Sequence, residues 1–144
     1  MPALRSLLIP ADILAAVVAH ARAVAPAECC GLLAGTPDGR VSLHFPVRND
    51  LASPTEYLTN PRDMLAASKA VRAAGVDVLA IYHSHPASAA LPSAKDVAGN
   101  HWGGAVVHLI VGLAGAAPDV QVWHIADGGY AAATWAVLPA AGGI

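Results

Sequence analysis

The stretch IYHSHPASAALPSAKD, residues 81–96, holds two histidines one residue apart, a loop of small residues bounded by prolines, and then Ser93 and Asp96. On a strand, residues at i and i+2 project from the same face, so His83 and His85 can bring two imidazoles to one cation. Zinc takes nitrogen ligands at roughly 2.0–2.1 Å, and a catalytic zinc has three protein ligands with the fourth position left to water. Asp96 stands one turn into the next element, after a loop stiffened by Pro86 and Pro92, and is placed to be the third ligand. The competing reading is a turn that happens to carry histidines, because H-x-H alone does not specify a metal. Ser93 also reads two ways. It is a helix N-cap, and it is a hydroxyl placed to help hold a tetrahedral oxyanion beside the metal.

Water activated at such a site needs a base. Only two of the ten acidic residues are glutamates, Glu28 and Glu56. Glu28 precedes the apolar run CCGLLAG, where partial desolvation favours a carboxylate able to take and return a proton. Glu56 sits in a polar stretch and reads as a solvated surface carboxylate. His108 and His124 fall inside strand patterns and read as packed or surface residues, whereas His101, soon after Asp96, is a candidate to line the cleft. Cys29 and Cys30 are adjacent; vicinal disulfides are strained, so these residues point to burial or a reducing compartment, with Cys30 a core thiol or a residue near the cleft.

The elements that must position these groups follow from periodicity and punctuation. Residues 4–9 and 29–35 read as strands, with a helix between them opened at Pro10-Ala11-Asp12, spaced by Ile13, Leu14, Val17, Val18 and Ala21, and ended by Pro26. The turn TPDG leads to a returning strand at 41–47. After a polar loop, EYLT (56–59) reads as a short strand. A second helix spans Pro61–Ala74, with Asn60 as N-cap and Gly75 just past its end. Residues 76–83, 105–113, 120–126 and 130–138 read as strands, the last two joined at Asp127-Gly128-Gly129. Ser93 with Asp96 opens a third helix. The expectation is an α/β fold, a mixed and mainly antiparallel sheet with about three helices, in one domain over 1–144.

Composition agrees with a packed core and limits the partners. The chain of 144 residues is 56% hydrophobic and 12% charged, with a formal net charge of −2. That excludes a disordered chain and offers no electrostatic reason to expect nucleic acid or an anionic membrane. The most apolar window, residues 105–117, carries His108 and is shorter than the roughly 18 or more residues of a membrane span. The first residues lack a basic region followed by a long apolar one, so the expectation is a cytoplasmic protein. PAAGGI, residues 139–144, reads as a frayed end.

Glu28, His83-Ser84-His85-Pro86, Ser93 and Asp96 together resemble the signature of the JAMM (MPN+) metallopeptidases: a distant glutamate, H-x-H-P, six residues, S-x-x-D. PAECCGLLAG is similar to the family's P-x-E-x-C-G-L-L-x-G segment, and the resemblance covers residues 4–138. It implies the MPN/JAB fold, which is cytidine-deaminase-like. It implies Zn2+ held by His83, His85 and Asp96, Glu28 as general base and then acid, and Ser93 as aid to the oxyanion. The compact chain is similar to small bacterial members that act on ubiquitin-like sulfur carriers ending in Gly-Gly, releasing an amino acid such as cysteine, or a peptide. Two other readings are a non-catalytic MPN-type scaffold, which usually lacks the ligands present here, and a nucleic-acid-related role like that of RadC-type JAB domains.

Overall fold

Residues 6–140 are described by a computed structural model. The apolar strand β2 (Cys30–Gly35), buried at every position, lies second from one edge of a six-stranded sheet. Its neighbours are β3 (Val41–Val47) and β4 (Asp77–His85), both antiparallel to it. Beyond β4 come β5 (Val107–Gly112), β6 (Asp119–Ala126) and β7 (Gly129–Ala132). The β4–β5 pair is parallel and the other pairs of this sheet are antiparallel. The parallel pair is joined by a crossover that contains the short helix α3 (Ala94–Ala98). A mixed, mainly antiparallel sheet with three helices among the described residues is the architecture expected.

Alternation along the strands divides the core in two. Leu33, Ala80, Tyr82 and Leu109 pack with α1 (Ala11–Val24) through Val17 and Ala21. Leu32 and Ile81 point the other way and pack with Ala67 of α2 (Pro61–Ala74). Because His83 and His85 share the parity of Ile81, they belong to the α2 side. Gly31 lies where Tyr82 crosses the strand, so close that any side chain there would run into the tyrosine ring. Asn60 caps α2 by accepting from the Asp63 amide at 3.0 Å, and Gly75 ends it with φ 69°.

Two expectations need correction. Residues 130–138 do not form one strand. After β7 the chain leaves the sheet, and β8 (Trp135–Leu138) pairs in parallel with β1 (Leu7–Pro10). The three alanines 131–133 offer little for the sheet edge to hold, whereas Ala133 and Trp135 find apolar partners against the α1-side core. EYLT is not a strand either: Thr59 makes one isolated antiparallel bridge to Asn49. β4 runs to His85, two residues past its expected end, so both histidines are strand residues. The strand expected at 4–9 is seen as β1 from Leu7, its first two residues lying outside the described range, as do the last four of PAAGGI. Among the described residues no helix is long and apolar enough to cross a membrane.

Candidate metal centre

His83 and His85 are buried at the C-terminal end of β4, and β4 forces both rings to the same side. Asp96 arrives from α3, whose start is set by a reciprocal cap. Ser93 Oγ accepts from the Asp96 amide at 3.0 Å, and Asp96 Oδ2 accepts from the Ser93 amide at 2.9 Å. The intervening loop is pinned from the sheet side. Trp123 Nε1 donates to the Ala90 carbonyl at 2.8 Å, and the Ala90 amide donates to Asp119 Oδ2 at 3.3 Å. Gly112, the β5 partner of His85, lets the loop backbone approach: a Cβ there would stand 2.8 Å from Ala90 N and 2.9 Å from Ser88 O.

Three ligand atoms converge. His83 Nε2 and His85 Nε2 lie 3.2 Å apart, and Asp96 Oδ2 is 3.2 Å from the first and 3.0 Å from the second. Ligands about 2.0–2.1 Å from a tetrahedral zinc sit roughly 3.3 Å from one another. The triangle therefore has the size and the donor types, two imidazole nitrogens and a carboxylate oxygen, of a zinc shell. The tautomer of His85 agrees as well. His85 Nδ1 lies 2.8 Å from the Ala89 carbonyl, to which it can only donate, so in the neutral ring Nε2 keeps its lone pair for a cation. These three residues could hold a metal ion.

The charges are arranged for that purpose. Burial opposes ionisation of Asp96, but hydrogen bonds from His83 and His85 outweigh it and hold the carboxyl well below the usual range. Burial pushes His83 down, which keeps the ring neutral. Burial would lower His85 too, but the bonds to Asp96 and to the Ala89 carbonyl carry it upward. An anionic carboxylate between two imidazoles takes a cation, either a proton or a metal.

Glu28 is 3% exposed, and burial raises its carboxyl to about 7, with His85 pulling down and Asp96 pushing up. Among the described residues, the buried side-chain polar atoms lacking a hydrogen-bond partner are Glu28 Oε1 and His83 Nδ1, both at this site. The Glu28 carboxyl is thus desolvated, able to carry a proton near neutral pH, and not committed to a structural bond. A cavity of about 160 Å³ opens beside Asp96, walled by Tyr57 and Trp102, with Lys95 and His101 also lining it.

The remaining candidates fall as follows. Glu56 is exposed and faces Lys95 Nζ at 3.7 Å. His108 is buried, 3.1 Å from Asn100 Oδ1 through Nε2; His124 is half-buried on β6. Cys29 and Cys30 are free and buried, and burial pushes their thiols up to about 11 and about 12, so neither is a ready nucleophile. Sequence reasoning missed Tyr57, whose ring stacks on His83, and Ser84, whose hydroxyl accepts from the Cys29 amide at 2.8 Å. Nothing in the local pattern of either residue marks such a contact.

The chain is 44% identical over 93 residues to the CysO-cysteine peptidase of Mycobacterium tuberculosis, a match covering 63% of this chain and 63% of that protein. It thus spans less than two thirds of that relative's length. It is 40% identical over 110 residues to a desampylase of Haloferax volcanii, covering 72% of this chain and 78% of the relative. The solution structure of protein DSY2949 from Desulfitobacterium hafniense superposes with a TM-score of 0.84 at 31% identity, covering 92% of this chain and 93% of that one. The family described as prokaryotic homologs of the JAB domain matches residues 10–126, which span β2, β4, α3 and every residue of the candidate centre, and it is to this family that the chain belongs.

Proposed function

We propose that the chain is a zinc-dependent peptidase that cleaves after the C-terminal Gly-Gly of a ubiquitin-like sulfur-carrier protein, releasing an amino acid such as cysteine, or a peptide. The observation that carries this reading is the convergence of His83 Nε2, His85 Nε2 and Asp96 Oδ2, with a buried Glu28 carboxyl that feels the charges of His85 and Asp96 and whose Oε1 has no hydrogen-bond partner. Residues 1–144 act as one unit in this reading.

Zinc, when bound by His83, His85 and Asp96, supplies a Lewis acid and lowers the pKa of water toward roughly 7. The chain's own residues do the rest. Glu28, with a carboxyl at about 7, accepts the proton of the attacking water and returns it to the leaving amine. The Ser93 hydroxyl, held at the α3 N-cap, donates toward the oxyanion while its lone pair keeps the Asp96 amide. The cavity beside Asp96 is small, about 160 Å³, which suits a tail without bulky side chains. Gly-Gly is such a tail. The names of the relatives, a CysO-cysteine peptidase and a desampylase, support a carrier-conjugate substrate.

The test is metal analysis with a defined substrate, a sulfur carrier whose Gly-Gly terminus is joined to cysteine. The expected result is about one zinc per chain and release of cysteine that stops on chelation. Protein that takes up no zinc on reconstitution, or zinc-loaded protein that leaves the adduct intact, overturns the reading.

A further inference from the structure

Glu28 is the buried residue of the site whose side chain nothing holds. Its Oε1 lacks a partner, and it lies two residues ahead of β2, outside the regular ladder. Its position is therefore set through its main chain. The attachments are few. The Glu28 amide donates to the Ser53 carbonyl at 2.8 Å. The Glu28 carbonyl accepts from Asn49 Nδ2 at 3.1 Å. One residue on, Cys29 donates to Ser84 Oγ at 2.8 Å, where a hydroxyl takes the bond that a β4 carbonyl would take in a continuing ladder.

Asn49 does more than hold Glu28. Its second Nδ2 hydrogen goes to the Glu56 carbonyl at 3.0 Å. Its Oδ1 accepts from the Leu51 amide at 3.1 Å and the Leu58 amide at 2.9 Å. A carboxamide has two donor hydrogens and two acceptor lone pairs, and all are used here. The Glu56 and Leu58 bonds flank Tyr57, whose ring stacks on His83 with centroids 4.8 Å apart. One side chain thus spans the main chain of the carboxyl-bearing residue and the segment that backs a metal-binding imidazole. Asn49 itself makes no hydrogen bond to His83, His85 or Asp96.

We propose that Asn49 is a positioning residue: through the Glu28 carbonyl it sets where the Glu28 carboxyl stands relative to the His83–His85–Asp96 cluster. The inference rests on the base role given to Glu28 above. Misplacement of a reacting group by about 1 Å can cost on the order of 100-fold in rate. The loss carried through the Glu28 carbonyl belongs in kcat, since Asn49 bonds none of the three ligand atoms itself.

The test uses Asn49→Asp, which keeps the acceptor bonds to Leu51 and Leu58 and loses both donors, with Asn49→Ala as the larger deletion. In zinc-loaded protein acting on the Gly-Gly–cysteine adduct, either variant is expected to lose about 10- to 100-fold in kcat. KM and zinc stoichiometry stay at wild-type values, and amide exchange at Glu28 and Cys29 quickens in the metal-free protein. If Asn49→Ala does not fold, Asn49→Asp alone decides. In a Glu28→Gln background the same substitution is expected to cost nothing further in kcat, because the group it positions is gone. A folded Asn49→Asp with wild-type kcat, an equal loss with and without Glu28, or unchanged exchange at Glu28 and Cys29 overturns the inference and leaves the proposed activity standing. A wild-type protein without turnover removes the activity and this inference with it.

Discussion

The Tyr57 ring lies on the His83 ring, centroids 4.8 Å and planes 26° apart, and His83 Nδ1 has no hydrogen-bond partner among the described residues. Metal-binding histidines usually have the second nitrogen fixed by a carbonyl or carboxylate, as His85 does through Ala89. If His83 binds zinc as proposed, the stacked tyrosine is the group placed to take over that orienting task. Replacing Tyr57 by Leu should therefore weaken zinc binding about 10-fold, toward the lower end of what loss of an orienting partner costs. Tyr57→Phe, which keeps the ring, should bind as wild type does. Competition with a chromophoric chelator measures both; equal affinities for Leu and wild type would show that packing around His83 suffices without the ring.

In the proposed reaction Ser93 has a catalytic role beside the capping role the structure shows, and substitution can separate the two. As a cap it serves the Asp96 amide, and loss of an N-cap costs about 1 kcal/mol. Ser93→Ala should lower both stability and kcat. Ser93→Gly, which costs a cap only a few tenths of a kcal/mol and brings no side-chain donor, should recover most of the melting temperature and none of the kcat. Full recovery of kcat by Ser93→Gly would leave Ser93 a cap only.

Gly112 is a test of the loop between the ligands. An alanine Cβ would press on the backbone at Ser88 and Ala90, and Ala90 is held on both sides by Asp119 and Trp123. The loop cannot retreat freely, so Gly112→Ala should cost about 1–3 kcal/mol, in the range for overpacking. Because the same loop carries the Ala89 carbonyl that orients His85, zinc affinity should fall with the melting temperature. A stable Gly112→Ala protein with wild-type zinc affinity would place the loop's anchorage elsewhere.

Helix α2 was legible to the residue because its ends are written locally: a capping asparagine before Pro61 and a left-handed glycine after Ala74. The shared facing of His83 and His85 was legible for a related reason, since a period of two on a strand decides facing without knowledge of the rest of the fold. β8 was not legible. AAATWAVL has no turn residue, and its departure from the sheet depends on β1, far away in sequence. Tyr57 and Asn49 were hidden for the same cause. The loop that holds them is folded by side-chain bonds to backbone groups of other segments, which leave no periodicity.

Glu28 ties the site to folding stability with a definite sign. Its carboxyl titrates at about 7 in the folded chain against an ordinary value of 4.5, because burial penalises the charged form. The folded state holds the proton more tightly than the unfolded chain. The stability this contributes is present in full below about pH 4.5 and is lost as pH rises through about 7. At one pKa unit per about 1.4 kcal/mol, the burden on the metal-free protein above neutral pH is on the order of 3 kcal/mol. Glu28→Gln removes the titrating group. Metal-free Glu28→Gln should match wild type in stability below about pH 4.5, pull ahead between about pH 4.5 and 7, and keep a constant lead above that. Denaturant unfolding of the two metal-free proteins at pH 4, 6 and 8 measures the difference. A lead that is absent at pH 8, or equally large at pH 4, would show that the Glu28 carboxyl is solvated in the folded protein and lacks the raised pKa that suits it to carry a proton near neutral pH.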